Sequence, residues 1–461
     1  MFRLFKHYVP HAVLLLGFFD LALLGLAAEI GWVWRAHEIG MAVEPLSQRP
    51  LPIATFALLV HMAMIAVGVY GPDSLQSLRF AAARLLVAIS LGVILLSVTY
   101  FILPGTTLWR SNSLYAMGLS IVFLIGNRII LGGLLGTTAF KRRLMVLGAG
   151  KRAQRVQDLS ERPDAGFVLV GFVAMNDGPL VVEEAINRDA IKNLAKHVEN
   201  LNVTEVVLAL EERRNALPLN DLLRIKTTGV HVNDLSTFLE RETGRVDLDT
   251  VNPSWLIFSD GFSAGRRIST IAKRMFDLVV SSILLVLTAP IILLFALLVK
   301  LDSKGPAFFK QERVGLYGQP FEIVKLRSMR TDAEVDGAQW AQKNDPRVTR
   351  LGRFIRKVRI DELPQAWSVL KGDMSFVGPR PERPEFVADL ETKMRYYNER
   401  HMVKPGITGW AQINYPYGAS VEDARHKLEY DLYYAKNYTP FLDLLIILQT
   451  LRVVLWPDGA R

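Results

Sequence analysis

The sequence predicts a chain in three parts: four membrane helices, a doubly wound α/β domain, and a mainly helical α+β domain entered by a re-entrant apolar helix. Three observations predict it. Of the 461 residues, 50% are hydrophobic and the mean hydropathy is +0.22, yet the long apolar runs crowd the stretch before Lys141 and recur only near 278–299. Between those regions the apolar stretches shorten to strand length and alternate with polar helical ones. After the last apolar run, arginines, glycines and prolines gather around one acidic pair, Asp361-Glu362. The three parts are placed at residues 1–138, 139–262 and 268–461, with the re-entrant helix at about 276–300.

The bundle comes first. Val9–Trp34, Leu51–Tyr70, Phe80–Leu103 and Leu114–Leu135 are each long enough to span a hydrocarbon layer, which takes about 20 apolar residues. Trp32, Trp34, Tyr70, Tyr100 and Trp109 stand at their ends, where interfacial aromatics belong. Arg3 and Lys6 precede the first run, Arg79 and Arg84 fall between the second and third, and Lys141-Arg142-Arg143 follow the fourth. That places both ends of the bundle on the cytoplasmic side, although Arg35, Arg49 and Arg110 dilute the contrast. The first run lacks a small-residue cleavage pattern and reads as a retained helix. Asp20 inside it is either functional or a helix-pairing group.

The α/β domain follows. Arg143–Leu147 running into Gly148-Ala-Gly150 reads as a buried strand with a glycine turn. Val203–Leu210 reads as a second strand and the segment near Gly229–Val232 as a third. The glycines begin a dinucleotide fingerprint, but Ala153 stands where its third glycine would be. A Rossmann-like scaffold with no working cofactor site is the expectation.

The fifth run, Leu278–Val299, is flanked by Lys273 and Arg274 before it and by Lys300, Lys304 and Lys310 after it. Both flanks favour the cytoplasmic side. Pro290, near its middle, removes a backbone donor, so a break there would let the helix enter and leave by one face.

In the last part, Thr349–Ile360 reads as a helix capped by Thr349, with Leu351, Phe354, Ile355 and Val358 on one buried face. Asp361 and Glu362 fall at its end, since Pro364 suits the start of a new helix over Pro364–Leu370. Adjacent carboxylates among many cations suit chemistry on a diphosphate; the plainer alternative is that they cap the helix or pair with Arg359. Arg380 lies between Pro379 and Pro381, which leaves its backbone little freedom. Trp410 sits in a glycine-rich turn, available to a base or to the lipid interface. Phe441–Trp456 reads as an amphipathic anchor or a core helix.

Composition narrows the chemistry. There is no cysteine, so thiolate catalysis and thiolate metal sites are excluded. The net charge of +9, beside membrane segments, points to anionic lipid or phosphorylated substrates and away from nucleic acid. An epimerase or dehydratase would use a Tyr-x-x-x-Lys pair, and no tyrosine here has lysine four residues on.

Together these motifs carry a resemblance. FKQERVG at 309–315, VKLRSM at 324–329, DELPQ at 361–365, GDMSFVGPRPE at 372–382 and PGITGWAQI at 405–413 look like the catalytic domain of bacterial sugar transferases, the monotopic polyprenyl-phosphate hexose-1-phosphate transferases. The preceding parts resemble the large form of that family, and NYPYGASVEDARHKLEYDLYYAKN resembles its exosortase-associated exopolysaccharide subset. The resemblance implies transfer of a hexose-1-phosphate from a UDP-sugar to undecaprenyl phosphate at the cytoplasmic face of a bacterial inner membrane. It assigns Asp361 as nucleophile, Asp361 and Glu362 as Mg²⁺ ligands, Arg380 with Pro379 and Pro381 as the uridine-diphosphate contact, and Pro290 as the helix break. Lys325, Arg327, Arg313, Arg353 and Arg356 are its candidate phosphate cations. An aspartate near its ordinary pKa of about 3.9 would attack without a base. A homodimer is a further expectation. The rivals are an NAD-dependent nucleotide-sugar enzyme and a non-catalytic nucleotide-sensing scaffold.

Overall fold

The computed structural model describes residues 2–4, 7–9, 11–43, 45, 49–70, 78–135, 141–162, 165–175, 178–212, 217–251, 267–333, 345–415, 418 and 420–455. The chain forms two compact units, Tyr8–Thr250 and Val251–Arg461, with the residues before Tyr8 divided between them.

In the first unit, α1 (His11–Glu38), α2 (Pro50–Val67), α3 (Leu78–Ile102) and α4 (Arg110–Leu135) match the four apolar runs. All four are long and apolar enough to cross a membrane. Leu24, Phe56, Val60, Met64, Leu85 and Leu124 form their shared core. Asp20 is fully buried there and ties three segments together. It accepts from both terminal nitrogens of Arg128 (3.0 and 2.7 Å), from Asn127 (2.7 Å) and from the Tyr70 hydroxyl (2.9 Å). A charge in an apolar bundle persists only when so paired, and here it serves helix pairing. Arg49 pairs with Glu29 at 3.0 Å and Arg35 with Glu38 at 2.7 Å.

The α/β domain is one parallel sheet built from β1 (Arg142–Leu147), β2 (Phe167–Ala174), β3 (Ile186–Asn187), β4 (Glu205–Leu208) and β5 (His231–Asp234), in the order β3-β2-β1-β4-β5. Sequence reading found β1, β4 and β5 but passed over β2 and β3. The strand after the glycine turn is therefore Phe167–Ala174, and Asn176 and Asp177, which follow it, lie outside the described residues. Helix α5 (Lys151–Ser160) starts directly after Gly150. The order reverses between β1 and β4, where such sheets bind ligands. Here Glu211 fills that crevice: its Oε1 accepts from the Arg152 backbone N–H at 2.9 Å, and a Cβ on Gly150 would stand 2.7 Å from it. A side-chain carboxylate thus takes the place an anionic ligand would have at the helix N-terminus.

The second unit opens with α9 (Arg267–Asp302), counting the helices Leu194–Asn200, Leu219–Thr227 and Leu235–Thr243 as α6 to α8. Pro290 lies inside α9, and the helix continues through it. The expected break does not split α9 into two helices: Pro290 removes one hydrogen bond from a continuous coil, the place where such a helix can bend. The antiparallel pair β6 (Phe308–Val314) and β7 (Pro320–Leu326) comes next. α10 (Arg350–Lys357) follows, capped by the Thr349 side chain accepting from the Gly352 N–H at 2.9 Å. Ile355 is buried, but Phe354 and Val358 are exposed, against expectation. Phe354 stacks on Phe295 of α9, with centroids 6.2 Å apart, so this face extends the apolar surface of the membrane helix. Short parallel strands β8 (Ser375–Val377) and β9 (Gly406–Thr408) complete the scaffold with α14 (Val421–Asn437) and α15 (Pro440–Leu455), where α11 to α13 denote Ala366–Lys371, Pro384–Lys393 and Trp410–Asn414.

Candidate active site

Arg359 sets the acidic pair. It adopts left-handed backbone (φ 61°), which turns the chain out of α10 into the 3₁₀ turn Ile360–Gln365. Ile360 packs against Val299, Leu326 and Ile355, and so anchors the turn. Pro364 and Gln365 are buried behind it, and the new helix starts at Ala366 rather than at Pro364.

The two carboxylates have opposite surroundings. Glu362 lies 3.0 Å from Arg380, 3.4 Å from Lys325 and 3.6 Å from Arg359, all through Oε1. Burial pushes its pKa up, but Arg380, Lys325 and Arg359 together hold it well below the usual carboxylate range. Asp361 is 8% exposed, and its Oδ1 is buried with no hydrogen-bond partner among the described residues. Burial and then the neighbouring Glu362 charge raise its pKa, against the pull of Lys325, Arg356 and Arg359. The expectation of an ordinary aspartate pKa is corrected by that burial. The pair divides into a carboxylate held by three cations and one whose Oδ1 has an open lone pair, a difference in surroundings that assigns distinct roles to neighbouring carboxylates.

A cleft beside them is lined by Arg313, Ile323, Lys325, Gln365, Arg380, Pro381 and Gly406. Strand alternation puts Lys325 on the same face as Ile323. Burial lowers the Lys325 pKa, with Glu362 opposing. The Pro379–Glu382 segment is held through its carbonyls. Gly406 N–H donates to Pro379 O (2.9 Å), Arg400 to Arg380 O (3.0 Å), Arg313 to Pro381 O (3.1 Å) and Val314 N–H to Glu382 O (3.0 Å). Since prolines lack an N–H, carbonyls are the handles such a segment offers. The two glycines allow the crossing: a Cβ on Gly406 would stand 2.1 Å from the Gly378 nitrogen.

Not every expected cation reaches the cleft. Arg327 is buried away from it and caps the end of α9, donating to Ser303 O (2.7 Å), Lys304 O (2.9 Å), Val299 O (3.4 Å) and Ser303 Oγ (3.0 Å). Arg327 lies one residue past the end of β7 at Leu326, so the alternation that pairs Ile323 with Lys325 no longer governs where its side chain goes. Arg353 is exposed on α10, while Arg356 is half-buried and acts on Asp361 through its charge. Trp410 is buried and stacked on Tyr433 at 5.7 Å, a core contact rather than a base or lipid platform.

Asp361 fits a divalent ion of the kind that takes one or two carboxylates and completes its shell with water and substrate phosphate. Its orphaned buried oxygen is the observation that fits. Glu362 has Oε1 already engaged, and no cluster of three metal-binding side chains occurs among the described residues.

Residues 268–457 match the family described as bacterial sugar transferase, and residues 65–226 match a CoA-binding domain family. The UDP-glucose:undecaprenyl-phosphate glucose-1-phosphate transferase of Xanthomonas campestris pv. campestris is 32% identical over 346 residues, 72% of this chain and 71% of the relative. The chain belongs to the bacterial sugar transferase family. Among other sugar transferases, the UDP-N-acetylgalactosamine-undecaprenyl-phosphate N-acetylgalactosaminephosphotransferase of Aeromonas hydrophila is 44% identical over 240 residues, 52% of this chain and 56% of the relative. The undecaprenyl-phosphate glucose phosphotransferase of Komagataeibacter xylinus is 46% identical over 194 residues, 41% of this chain and 36% of the relative. The chain thus spans about half or less of the length of these two relatives. The sugar transferase match takes in α9, both acids and the whole cleft. Within it, sequence reading missed Gln365, Gly406 and Arg400 as parts of the site. Arg400 carried a signal only as a buried charge, which no linear pattern marks.

Proposed function

We propose that this protein transfers a hexose-1-phosphate from a UDP-sugar to undecaprenyl phosphate, with Asp361 as nucleophile. The observation that carries this is the open, buried Oδ1 of Asp361 beside a cleft of three cations. In the first half-reaction Asp361 attacks the sugar-side phosphorus, the phosphoanhydride P–O bond breaks, and UMP leaves with the bridging oxygen. In the second, a phosphate oxygen of undecaprenyl phosphate attacks the same phosphorus and the Asp361 carboxylate departs. Arg380, Lys325 and Arg313 offset the donor's diphosphate charge. Glu362 keeps Arg380 and Lys325 aligned before the donor arrives. Mg²⁺ on Asp361 would supply Lewis-acid charge neutralisation. The sugar itself differs among relatives' names, N-acetylgalactosamine in one and glucose in others, so hexose-1-phosphate is the class supported.

We infer a re-entrant placement for α9 in the inner membrane, with the site at the cytoplasmic face. The support is that both ends of α9 hold the same domain. Asp277 accepts from Ser375 Oγ and the Phe376 N–H (both 3.0 Å), while Val299 packs on Leu326 and Ile355. Residues 277 and 299 lie about 33 Å apart along a straight helix, a full hydrocarbon layer, so a bend at Pro290 is what would let both ends reach one face. A crossing helix would leave its two ends on opposite sides.

Asp361→Asn tests the chemistry: it should abolish UMP release and leave no adduct on the peptide containing residue 361 in mass spectrometry. Normal turnover by that variant refutes the nucleophile assignment. The absence of native cysteine makes Ile268→Cys and Lys310→Cys clean topology probes. Both should resist a reagent confined to the periplasm; labelling of one alone reveals a crossing.

A further inference from the structure

The helix α14, far from the acids in sequence, contains a buried carboxylate that the mechanism above leaves unused. Asp431 is 2% exposed, and its Oδ2 lies 2.7 Å from Nη2 of Arg400, itself 5% exposed. The same Nη2 donates to the backbone carbonyl of Arg380 at 3.0 Å. Arg400 Nη1 donates to the Tyr397 hydroxyl at 2.8 Å, and its guanidinium carbon lies 5.2 Å from the centroid of that ring. From Arg380 the chain of contacts continues to Glu362 at 3.0 Å.

We propose that Asp431 is a positioning residue for Arg380, acting through Arg400. This rests on the proposed reaction only in taking the donor's diphosphate as what Arg380 meets. A guanidinium taken from water needs a counter-charge, and Asp431 supplies it. Once fixed, the Arg400 fork holds a carbonyl between two prolines, neither of which has an N–H to anchor the backbone. The geometry sets where the Arg380 side chain begins and so whether it reaches Glu362 and the cleft. The other three carbonyls of Pro379–Glu382 are held by β6 and by Gly406. The one at Arg380 depends on the Arg400–Asp431 pair. Arg400 also lies outside the cleft lining, which separates its role from direct contact with donor.

The test uses the full-length protein in nanodiscs. UMP release and calorimetric binding of uridine diphosphate are measured for wild type, Asp431→Asn, Arg400→Lys, Arg380→Ala and the Asp431→Asn/Arg380→Ala double variant. A displaced guanidinium costs mainly donor recognition, so Asp431→Asn should raise the UDP-sugar KM about tenfold and leave the undecaprenyl phosphate KM within about twofold. In the Arg380→Ala background the same change should add nothing, the mark of two residues acting on one contact. Independent, multiplying losses overturn the proposal, as does a lower melting temperature with unchanged donor KM. If Asp431→Asn does not fold, Arg400→Lys decides. It keeps the charge but not the fork, so an unchanged donor KM overturns the proposal. Failure of the reaction reading looks different: wild type would release no UMP, while uridine diphosphate binding would still report whether Asp431 acts through Arg380.

Discussion

Arg327 separates a phosphate-binding arginine from a structural one. Its side chain satisfies carbonyls of Val299, Ser303 and Lys304 together with Ser303 Oγ at the end of α9, and it is 6% exposed. Arg327→Ala removes a donor from each of those acceptors, though Val299 O keeps a second one in the Ser303 N–H at 3.2 Å. Each orphaned buried group costs about 1–3 kcal/mol, and water reaching the outermost carbonyls limits the sum to about 3 kcal/mol. For a domain of this size about 1 kcal/mol moves the midpoint by ~2–4 °C, giving a fall of about 6–12 °C. The assay is thermal unfolding of the full chain in nanodiscs, followed by intrinsic fluorescence, with the UDP-sugar KM measured on the folded fraction. Folded Arg327→Ala should keep its donor KM. A variant that melts like wild type but needs far more donor would refute the capping role and restore the phosphate role expected from sequence.

Other outcomes follow from the same geometry. Arg359→Gly relieves left-handed backbone, worth about 1 kcal/mol, and should raise the melting temperature slightly with activity largely kept, since the Glu362 contact it gives up is long (3.6 Å) and solvent-facing. Gly406→Ala drives a methyl into the Gly378 nitrogen at 2.1 Å, and backbone cannot yield as a side chain does; a loss of at least about 1–3 kcal/mol with impaired UMP release is expected. Arg353→Ala, changing an exposed surface cation, should leave melting temperature and donor KM essentially as they were; a raised donor KM would return it to the phosphate site.

Much of this was legible in the sequence because it is periodic or local. Uninterrupted apolar length marks α1 to α4, and the Thr349 cap and Ile355 follow from helix geometry. The acid pair and the Pro-Arg-Pro segment stand out by residue type. What stayed hidden depends on tertiary partners. Arg327 and Lys325 look alike in a linear motif, and only the fold shows Lys325 within β7 at the cleft and Arg327, past the strand's end, turned to the end of α9. Phe354 fits a buried stripe until Phe295 of the membrane helix is seen beside it. The short β3 carries too few residues for a pattern, while β2, the apolar run FVLVGFVA, was passed over although its composition is that of a buried strand. Pro290 ends helices in general, yet here it sits within one.

Glu211 gives the α/β domain an unusual property. Any phosphate approaching the turn after β1 meets a rival that never diffuses away, because the carboxylate is part of the same chain. Tethering gives such a rival a local concentration of about millimolar or more. Only a tightly held ligand, or a rearrangement of the segment following β4, would displace it. The domain's nucleotide-like outline is thus compatible with a resting condition in which the socket is already keyed by the protein itself.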